Sequence, residues 1–215
     1  KIRCCGSLNH HLGKEDDAHQ DFRNNINIWY AEHQKGNLDA ILSNTSGCGT
    51  TMKDYGFIFK DDQEMKKKAK VISELTKDVS EYLNESLKLN FKKKSKKYKI
   101  AYHSACSMQH GQKVHDQPMS LLSKTNNEIM EIPEGHACCG SAGTYNILQT
   151  EIAKELLKKK VNNIESLKAD FISTGNIGCI TQISNGTKIP ILHTIEILDW
   201  YTGGPKPKIL YKNQL

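Results

Sequence analysis

A duplicated cysteine pattern constrains this chain more than any other feature of its sequence. Cys4-Cys5-Gly6-Ser7 is followed by Ser46-Gly47-Cys48, and Cys138-Cys139-Gly140-Ser141 is followed by Ile177-Gly178-Cys179. Forty-two residues separate the pair from the single cysteine in the first copy, and 39 do so in the second. Cysteine thiolates are the usual protein ligands of soft metals and iron–sulfur clusters. The repetition favours a metal site over the simpler interpretation that adjacent cysteines are buried apolar side chains.

The second copy has one additional cysteine. Cys106 lies 32 positions before Cys138 and follows a strand-like stretch. The complete set of thiols in the second copy is Cys106, Cys138, Cys139 and Cys179. The set in the first copy is Cys4, Cys5 and Cys48. A fourth cysteine at the same spacing would fall before residue 1, so we expect a fragment that begins within its first repeat and whose first site binds iron poorly.

The composition is that of a soluble globular protein, with 37% apolar and 25% charged residues. No apolar run approaches the ~20 residues of a membrane-spanning helix. Seven cysteines with this spacing suit metal-bound thiolates in a reducing compartment better than a secreted disulfide scaffold. We therefore expect a cytoplasmic location.

The formal net charge of +6 is concentrated in two lysine-rich segments, 92–97 and 158–160. Such segments can bind nucleic acid or anionic lipid. No aromatic residues interleave the lysines and no nucleic-acid-binding motif is present, so we predict no nucleic-acid partner. We interpret 92–97 as a solvated linker and 158–160 as the exposed face of a helix.

Each cysteine pair is followed by apolar residues at helical spacing and then by a short apolar run. The helical positions are Ala18, Phe22, Ile26 and Trp29 in the first copy and Ile152, Leu156, Ile164 and Leu167 in the second. The apolar runs cover 38–42 and 169–173. Further strands are predicted at 99–103, 128–132 and 189–193. Further helices are predicted at 63–84 and 194–201, the second of which ends at Gly203-Gly204-Pro205.

Strands that alternate with helices predict an α/β fold. We expect two repeated cysteine-rich α/β units with mostly parallel sheets, the first truncated at its N-terminus. The expected boundaries are 1–90 for the first repeat, 91–97 for a basic linker, 98–205 for the second repeat and 206–215 for a C-terminal tail.

The predicted strands bring the cysteines to the carboxyl edge of each sheet. Cys48, Cys106 and Cys179 each follow a predicted strand, and ligands of open α/β sheets bind at this edge. Helix N-termini also point there and favour thiolates. Four thiolates can hold one [4Fe–4S] cluster or one structural zinc ion. Adjacent cysteines favour the cluster, because each thiol can reach a different iron.

Glycines and histidines flank these cysteines. Gly140, Gly143 and Gly178 would let the backbone approach a bulky cluster and direct N–H groups to its sulfurs. Three histidines could ligate a metal or move protons, although local hydrogen bonds are the favoured interpretation; they are His103, His136 and His193. Core packing is the default interpretation for Tyr55, Tyr145 and Trp200. No dinucleotide-binding or nucleophile-elbow motif is present, and we predict no catalytic residue in this chain.

Four stretches carry a family resemblance. They are Thr45-Ser46-Gly47-Cys48-Gly49, the segment 136–146 from His136 to Asn146, Thr174-Gly175-Asn176-Ile177-Gly178-Cys179 and the segment 193–200 from His193 to Trp200. Cys-Cys-Gly pairs flanked by single cysteines resemble the cysteine-rich domain of the heterodisulfide reductase catalytic subunit. Within that superfamily, the chain most resembles the iron–sulfur subunit of glycolate oxidase (glycolate dehydrogenase). Heterodisulfide reductase units end in Cys-x-x-Cys, whereas Thr45 and Asn176 stand at the first of those positions here.

The resemblance implies an electron-transfer subunit. A partner subunit would carry FAD and oxidise the 2-hydroxy acid, and electrons would pass through iron–sulfur centres toward a quinone or another membrane acceptor. The subunit would lie at the inner face of the cell membrane. Three alternatives stay open: the same role for lactate or glycerol-3-phosphate, a zinc-stabilised interaction module, and a thiol–disulfide enzyme that uses the cysteine pair directly.

Overall fold

The computed structural model describes residues 1–211 and divides the chain into two units, Lys1–Val79 and Ser80–Leu215. This division lies earlier in the chain than the basic segment 91–97 suggested. The reason is that Leu83, Leu89 and Phe91 pack against the core of the second unit, so the residues before the lysines belong to it. Of the expected tail, the structure describes residues 206–211 only.

The first unit is a short parallel sheet covered by helices. Its elements are α1 (Ser7–His11), α2 (Glu15–Gln34), β1 (Ile41–Ser43), α3 (Ser46–Ile58), α4 (Lys66–Leu75) and β2 (Thr76–Asp78). The two strands pair in parallel, with Ile41 opposite Thr76 and Ser43 opposite Asp78. Ala18, Phe22 and Ile26 form the buried face of α2, as their spacing predicts, and Trp29 is partly buried against the same core.

The single helix predicted over 63–84 is wrong. The structure has α4, then strand β2, then helix α5 (Val79–Ser86) in this segment. The apolar spacing continues through the strand, so periodicity alone does not reveal the break. Pairing with β1 decides the conformation of residues 76–78, because tertiary contacts override a local helical preference.

The second unit is a four-stranded parallel sheet with helices on both faces. Its strands are β3 (Lys99–His103), β4 (Glu128–Glu131), β5 (Phe171–Thr174) and β6 (Ile191–His193), in the order β4-β3-β5-β6. Its helices after α5 are α6 (Asp116–Ser123), α7 (Tyr145–Leu148), α8 (Thr150–Ser166), α9 (Ile177–Ser184) and α10 (Thr194–Thr202). A π-helical turn, Ser107–Gln112, follows β3, and a 3₁₀ turn, Lys208–Leu210, follows α10. The predicted α/β fold with parallel sheets is therefore confirmed.

Alternation along the strands divides the core of the second unit into two layers. Ile100 and Phe171 face one layer, which contains Leu121 of α6 and Leu198 of α10. Ala101 and Ile172 face the other layer. That layer contains Ile164 of α8 and Ile183 of α9, together with Cys139 and Cys179. Two of the predicted ligands therefore lie within the α8–α9 side of the core.

Helix α8 differs from its prediction in two positions. Ile152, placed on the buried face by its spacing, is 53% exposed. Lys160, interpreted as part of a solvated lysine run, is 1% exposed. The buried positions of α8 are Ala153, Lys160, Val161 and Ile164.

Helix α10 ends as predicted, with Gly203 at its C-cap. In residues 1–211, none of the helices combines the length and the apolar character needed to cross a membrane.

Candidate metal centre

The carboxyl ends of three strands lie side by side in the second unit. His103 ends β3 and is in register with Thr174, which ends β5, and Thr174 is in register with His193, which ends β6. Cys106 follows β3 by three residues, and Cys179 lies in the first turn of α9, which follows β5. The segment after β4 carries Cys138 and Cys139. Parallel pairing thus brings four cysteines that are distant in sequence to one edge of the sheet.

The four sulfurs are in contact in series. The Cys106 thiol donates a hydrogen bond to the Cys138 sulfur, and the Cys139 thiol lies beside the Cys138 sulfur as well. The Cys139 thiol donates in turn to the Cys179 sulfur at 3.5 Å. All of these cysteines are free thiols. Bond lengths of about 2.3 Å to a tetrahedral metal place two thiolate sulfurs about 3.8 Å apart, so the observed separation suits two ligands of one metal ion. On a cluster in which each thiolate binds a different iron, the two sulfurs would move apart.

The pKa values alternate along this series. The pKa of Cys138 lies well below its usual range because the neighbouring thiols of Cys106 and Cys139 stabilise its charged form. The pKa of Cys179 is lowered to about 5, first by the hydrogen bond from Cys139 and then by His103. The pKa values of Cys106 and Cys139 are raised, first by hydrogen bonding to the neighbouring sulfurs, which holds the thiol proton, and then by burial. Thiolates are the ligand form of cysteine, and the pocket favours that form at two of its four positions.

Asn176 forms the N-cap of α9. Its side-chain oxygen accepts hydrogen bonds from the main-chain N–H groups of Gly178 at 2.7 Å and Cys179 at 3.2 Å. Asparagine is among the favoured N-cap residues because it satisfies these free N–H groups. Asn176 stands where heterodisulfide reductase units have a further cysteine. In this chain it instead stabilises the start of α9, the helix on which Cys179 lies.

Gly140 is required by the close packing of the cysteine loop on α8. Its φ is 90°, and a Cβ there would lie 2.5 Å from the main-chain oxygen of Ala153. Its N–H donates to the Cys138 sulfur at 3.2 Å. A Cβ at Gly178 would lie 2.8 Å from the Ser141 hydroxyl, so this glycine lets the loop approach α9. Gly143 is exposed and a Cβ there would meet no atom within 4 Å, so its assignment to a cofactor stays a prediction.

His103 is the histidine that the fold brings to the thiols. It is 2% exposed, and one of its ring nitrogens lies within 4.8 Å of the Cys139 and Cys179 sulfurs, as those sulfurs do of each other. His136 is exposed. His193 is the N-cap of α10, where its Nδ1 accepts a hydrogen bond from the Ile195 N–H at 3.1 Å. The local hydrogen-bonding interpretation is thus correct for His193.

Lys160 is a charged residue that sequence reasoning missed. Its Nζ donates to the main-chain oxygen of Glu134 at 3.2 Å, whereas the Glu134 carboxylate pairs with Lys159. Burial lowers the pKa of Lys160, and the nearby thiols Cys139 and Cys138 oppose that effect. The signal that could have found this residue is its position, seven residues after the buried Ala153 on the same helical face.

The first unit brings its three cysteines together in a more open place. Cys4 is exposed, and Cys5 and Cys48 are half-buried. The Cys5 thiol donates to Cys48 and lowers the pKa of that thiol to about 7. Tyr55 is fully buried and its hydroxyl donates to the main-chain oxygen of Cys5 at 2.9 Å, so it supports the cysteine loop from within the core. Trp200, in the second unit, also packs in the core, and Tyr145 is half-buried.

The donor atoms of the second unit fit a thiolate-bound metal centre. Four sulfurs in contact and an imidazole beside them are soft and borderline ligands, which suit iron–sulfur clusters and zinc. Carboxylates, which hard cations prefer, are not among the residues grouped at this site.

Comparison with known proteins agrees with this donor set. The model of the cysteine-rich domain (CCG) family matches residues 1–53 and 100–184, which include all seven cysteines. The chain belongs to this family. The resemblance inferred from the cysteine pattern is therefore confirmed.

Several curated proteins are similar over most of the chain. The glycolate oxidase iron–sulfur subunit of Escherichia coli (strain K12) is 36% identical over 91% of this chain and 48% of its own length. A probable glycolate oxidase iron–sulfur subunit of Bacillus subtilis (strain 168) is 28% identical over 91% of this chain and 45% of its own length. Lactate utilization protein A of Geobacillus sp. (strain WCH70) is 25% identical over 91% of this chain and 82% of its own length. The chain thus spans about half the length of the glycolate oxidase relatives.

Proposed function

We propose that the second unit holds an iron–sulfur cluster, of the [4Fe–4S] type, and that the chain carries electrons within a 2-hydroxy-acid oxidoreductase of the glycolate oxidase kind. The observation that carries the proposal is the contact series Cys106–Cys138–Cys139–Cys179, closed by a 3.5 Å separation between the last two sulfurs. The iron–sulfur subunits among its relatives agree with this cofactor.

The roles of the chain's own residues follow from their positions. The four cysteines would ligate the cluster, and the Gly140 N–H would continue to donate to the Cys138 sulfur. The helix N-terminus of α9 and the buried Lys160 would offset the negative charge of the thiolates. Apolar side chains around Cys139 and Cys179 would exclude water from one side of the site. When bound, the cluster supplies one-electron transfer.

The remaining parts of the proposal concern partners and place. A flavin-containing dehydrogenase subunit would oxidise the hydroxy acid, with FAD bound there, and the electrons would leave toward a quinone or another membrane acceptor. We place the chain in the cytoplasm, peripheral to the inner face of the membrane, since its seven cysteines are free thiols that suit a reducing compartment. Glycolate is the proposed substrate of the complex.

Lactate is a second candidate substrate. The observation that favours it is the match to lactate utilization protein A over 82% of that protein, a larger share than the glycolate oxidase relatives offer. Both candidates use the same iron–sulfur role for this chain. They differ in the flavin partner, so copurified partner subunits assayed with glycolate and with lactate would separate them.

Anaerobic reconstitution with iron and sulfide tests the cofactor. We expect a brown protein with a broad absorption band near ~400 nm, of the kind given by iron–sulfur clusters, with acid-labile sulfide in proportion to iron. Zinc binding without uptake of iron and sulfide would instead support the zinc-stabilised interaction module. If thiol titration gave the same number of reactive thiols before and after reconstitution, the cysteines would not be cluster ligands and the thiol–disulfide alternative would stand.

A further inference from the structure

His103 is a buried side chain whose polar atoms make no well-formed hydrogen bond. It is 2% exposed, and neither ring nitrogen has hydrogen-bond geometry with a described residue, although the ring is close enough to Cys179 to lower the pKa of that thiol. An imidazole has one donor and one acceptor when neutral and two donors when charged. Leaving such groups unsatisfied in a protein interior is energetically costly. A partner for His103 is therefore to be expected in the functional protein.

The surroundings of His103 indicate what that partner is. One ring nitrogen and the sulfurs of Cys139 and Cys179 all lie within 4.8 Å of one another, and all three residues are buried. Ligand atoms bound to one tetrahedral metal lie about 3.3–3.8 Å apart, so small side-chain movements would bring the imidazole within reach of the same metal centre as the thiolates. The imidazole is also a common ligand of both iron and zinc.

The backbone holds His103 in this position. It is the last residue of β3, a central strand that pairs with β4 and β5 on its two sides. Its register partner on β5 is Thr174, whose hydroxyl also lacks a partner among residues 1–211. Cys106 follows on the same segment three residues later. A rigid strand end thus presents the imidazole toward the thiols, which a mobile surface loop would not do.

We propose that His103 is a direct ligand of the metal centre in the second unit, so that this centre has mixed cysteine and histidine ligation. The inference rests on the proposed function and refines it: His103 takes one ligand position of the centre in place of one of the four cysteines. A metal held partly by imidazole carries less negative charge than one held by thiolates alone. Where histidines replace cysteines on an iron of a cluster, the reduction potential is higher, and we expect the same direction here.

Cobalt(II) alone is a suitable probe, because it reports nitrogen and sulfur ligands without a cluster. The parent would be the full chain in which Cys4, Cys5 and Cys48 are serine, so that only the second unit offers thiols. X-ray absorption at the cobalt edge should then show sulfur and imidazole nitrogen in the first coordination shell. His103→Gln should remove the imidazole signal and weaken cobalt binding by at least about tenfold.

Two variants serve as controls. His136→Gln removes an exposed histidine two residues before Cys138, and it should leave the imidazole signal and the cobalt affinity unchanged. His103→Cys keeps a ligand at the strand end, so it should recover tight binding with an all-sulfur shell. Circular dichroism of the metal-free variants establishes that each one is folded.

The cobalt experiment can contradict the assignment of His103 as a ligand in three ways. An unchanged nitrogen shell in His103→Gln, or its loss in His136→Gln, would overturn the assignment. Failure of the parent to bind cobalt through sulfur would overturn it as well. Reconstitution with iron and sulfide is scored separately, so a protein that binds cobalt through His103 but assembles no cluster would refute the proposed function and leave the ligand assignment in place.

Discussion

In both units the Cys-Cys-Gly loop packs on one face of the long helix that follows it. The side chain that this helix buries near the loop differs between the units. Gly6 and Gly140 both have positive φ, and a Cβ at either would approach the main-chain oxygen of an alanine, Ala18 at 3.3 Å and Ala153 at 2.5 Å. Seven residues after those alanines, the helices bury Asn25 in the first unit and Lys160 in the second. The units therefore differ in charge at an equivalent buried position.

The buried partners of these two residues are main-chain groups near the cysteine pairs. Asn25 donates to the main-chain oxygen of Cys4 at 2.9 Å and accepts from the Arg3 N–H at 2.8 Å. Lys160 donates to the main-chain oxygen of Glu134. In the first unit the neutral amide of Asn25 lies near three partly exposed thiols, and its burial requires no compensating charge. In the second unit Lys160 is a buried cation, which needs a nearby anion to offset the cost of removing it from water. A centre of four thiolates would be such an anion, so we expect a strongly anionic group in the second unit and not in the first.

The largest expected difference between the units is in bound iron. Cys139→Ser removes the sulfur that lies between Cys138 and Cys179, so it should abolish most of the iron bound by the reconstituted chain. It should also destabilise the iron-loaded second unit, because metal binding adds to folding stability. Cys5→Ser is the matched control and should change iron content little. Iron and sulfide analysis of both variants, made in parallel, checks this. Equal losses from the two substitutions would show that the units are equivalent.

A smaller difference is expected at the two glycines. Gly140→Ala would place its Cβ against a main-chain oxygen of α8, which cannot move without shifting the helix, so we expect a loss of roughly 3–4 kcal/mol in the free energy of unfolding. In Gly6→Ala the atoms nearest to the new Cβ belong to the Phe22 ring, a side chain that can shift within the core. We expect about 1–2 kcal/mol there, from the positive φ and the ring movement. Chemical denaturation of the metal-free variants measures both, and a larger loss for Gly6→Ala would reverse the proposed order.

The smallest effect should be on the reduction potential. Lys160→Asn gives the second unit the neutral side chain of the first, and it should lower the midpoint potential by on the order of 60 mV, about a tenfold change in the ratio of reduced to oxidised centre. The sign follows because reduction adds negative charge, which a buried cation stabilises. Lys159→Asn is the control, since Lys159 is exposed and pairs with Glu134. A redox titration followed by absorbance would refute the role of Lys160 if both variants gave the parent potential.

Most of the second unit could be predicted from the sequence. Strand β3 was predicted at its observed bounds, and β4 and α10 within one residue of theirs. These segments have a local signal, since alternating or continuous apolar residues end at polar or small ones. The cysteines were singled out by their spacing alone, and the structure places four of them in contact.

Strand β2 and the burial of Lys160 could not be predicted in the same way. Thr76-Lys77-Asp78 lies within a helical pattern, and only the pairing with β1 makes it a strand. Lys160 follows two exposed lysines, and its burial depends on the contact between α8 and the loop that carries Cys138. His103 was singled out in the sequence together with His136 and His193. The sequence could not tell which of the three lies beside the thiols, because the residues around the His103 ring come from β5, α9 and the cysteine loop.

The sequence by itself determined the fold class, the approximate positions of the four strands of the second unit and the membership of a cysteine-rich family, because periodicity and cysteine spacing are local properties. The tertiary structure alone decided which side chains meet at the carboxyl edge of the sheet. Strand order and register set those distances, and they depend on pairing between segments as far apart as Ala101 and Ile172. The buried cation and the buried imidazole beside the thiols are products of that pairing, since burial follows from contacts distant in sequence.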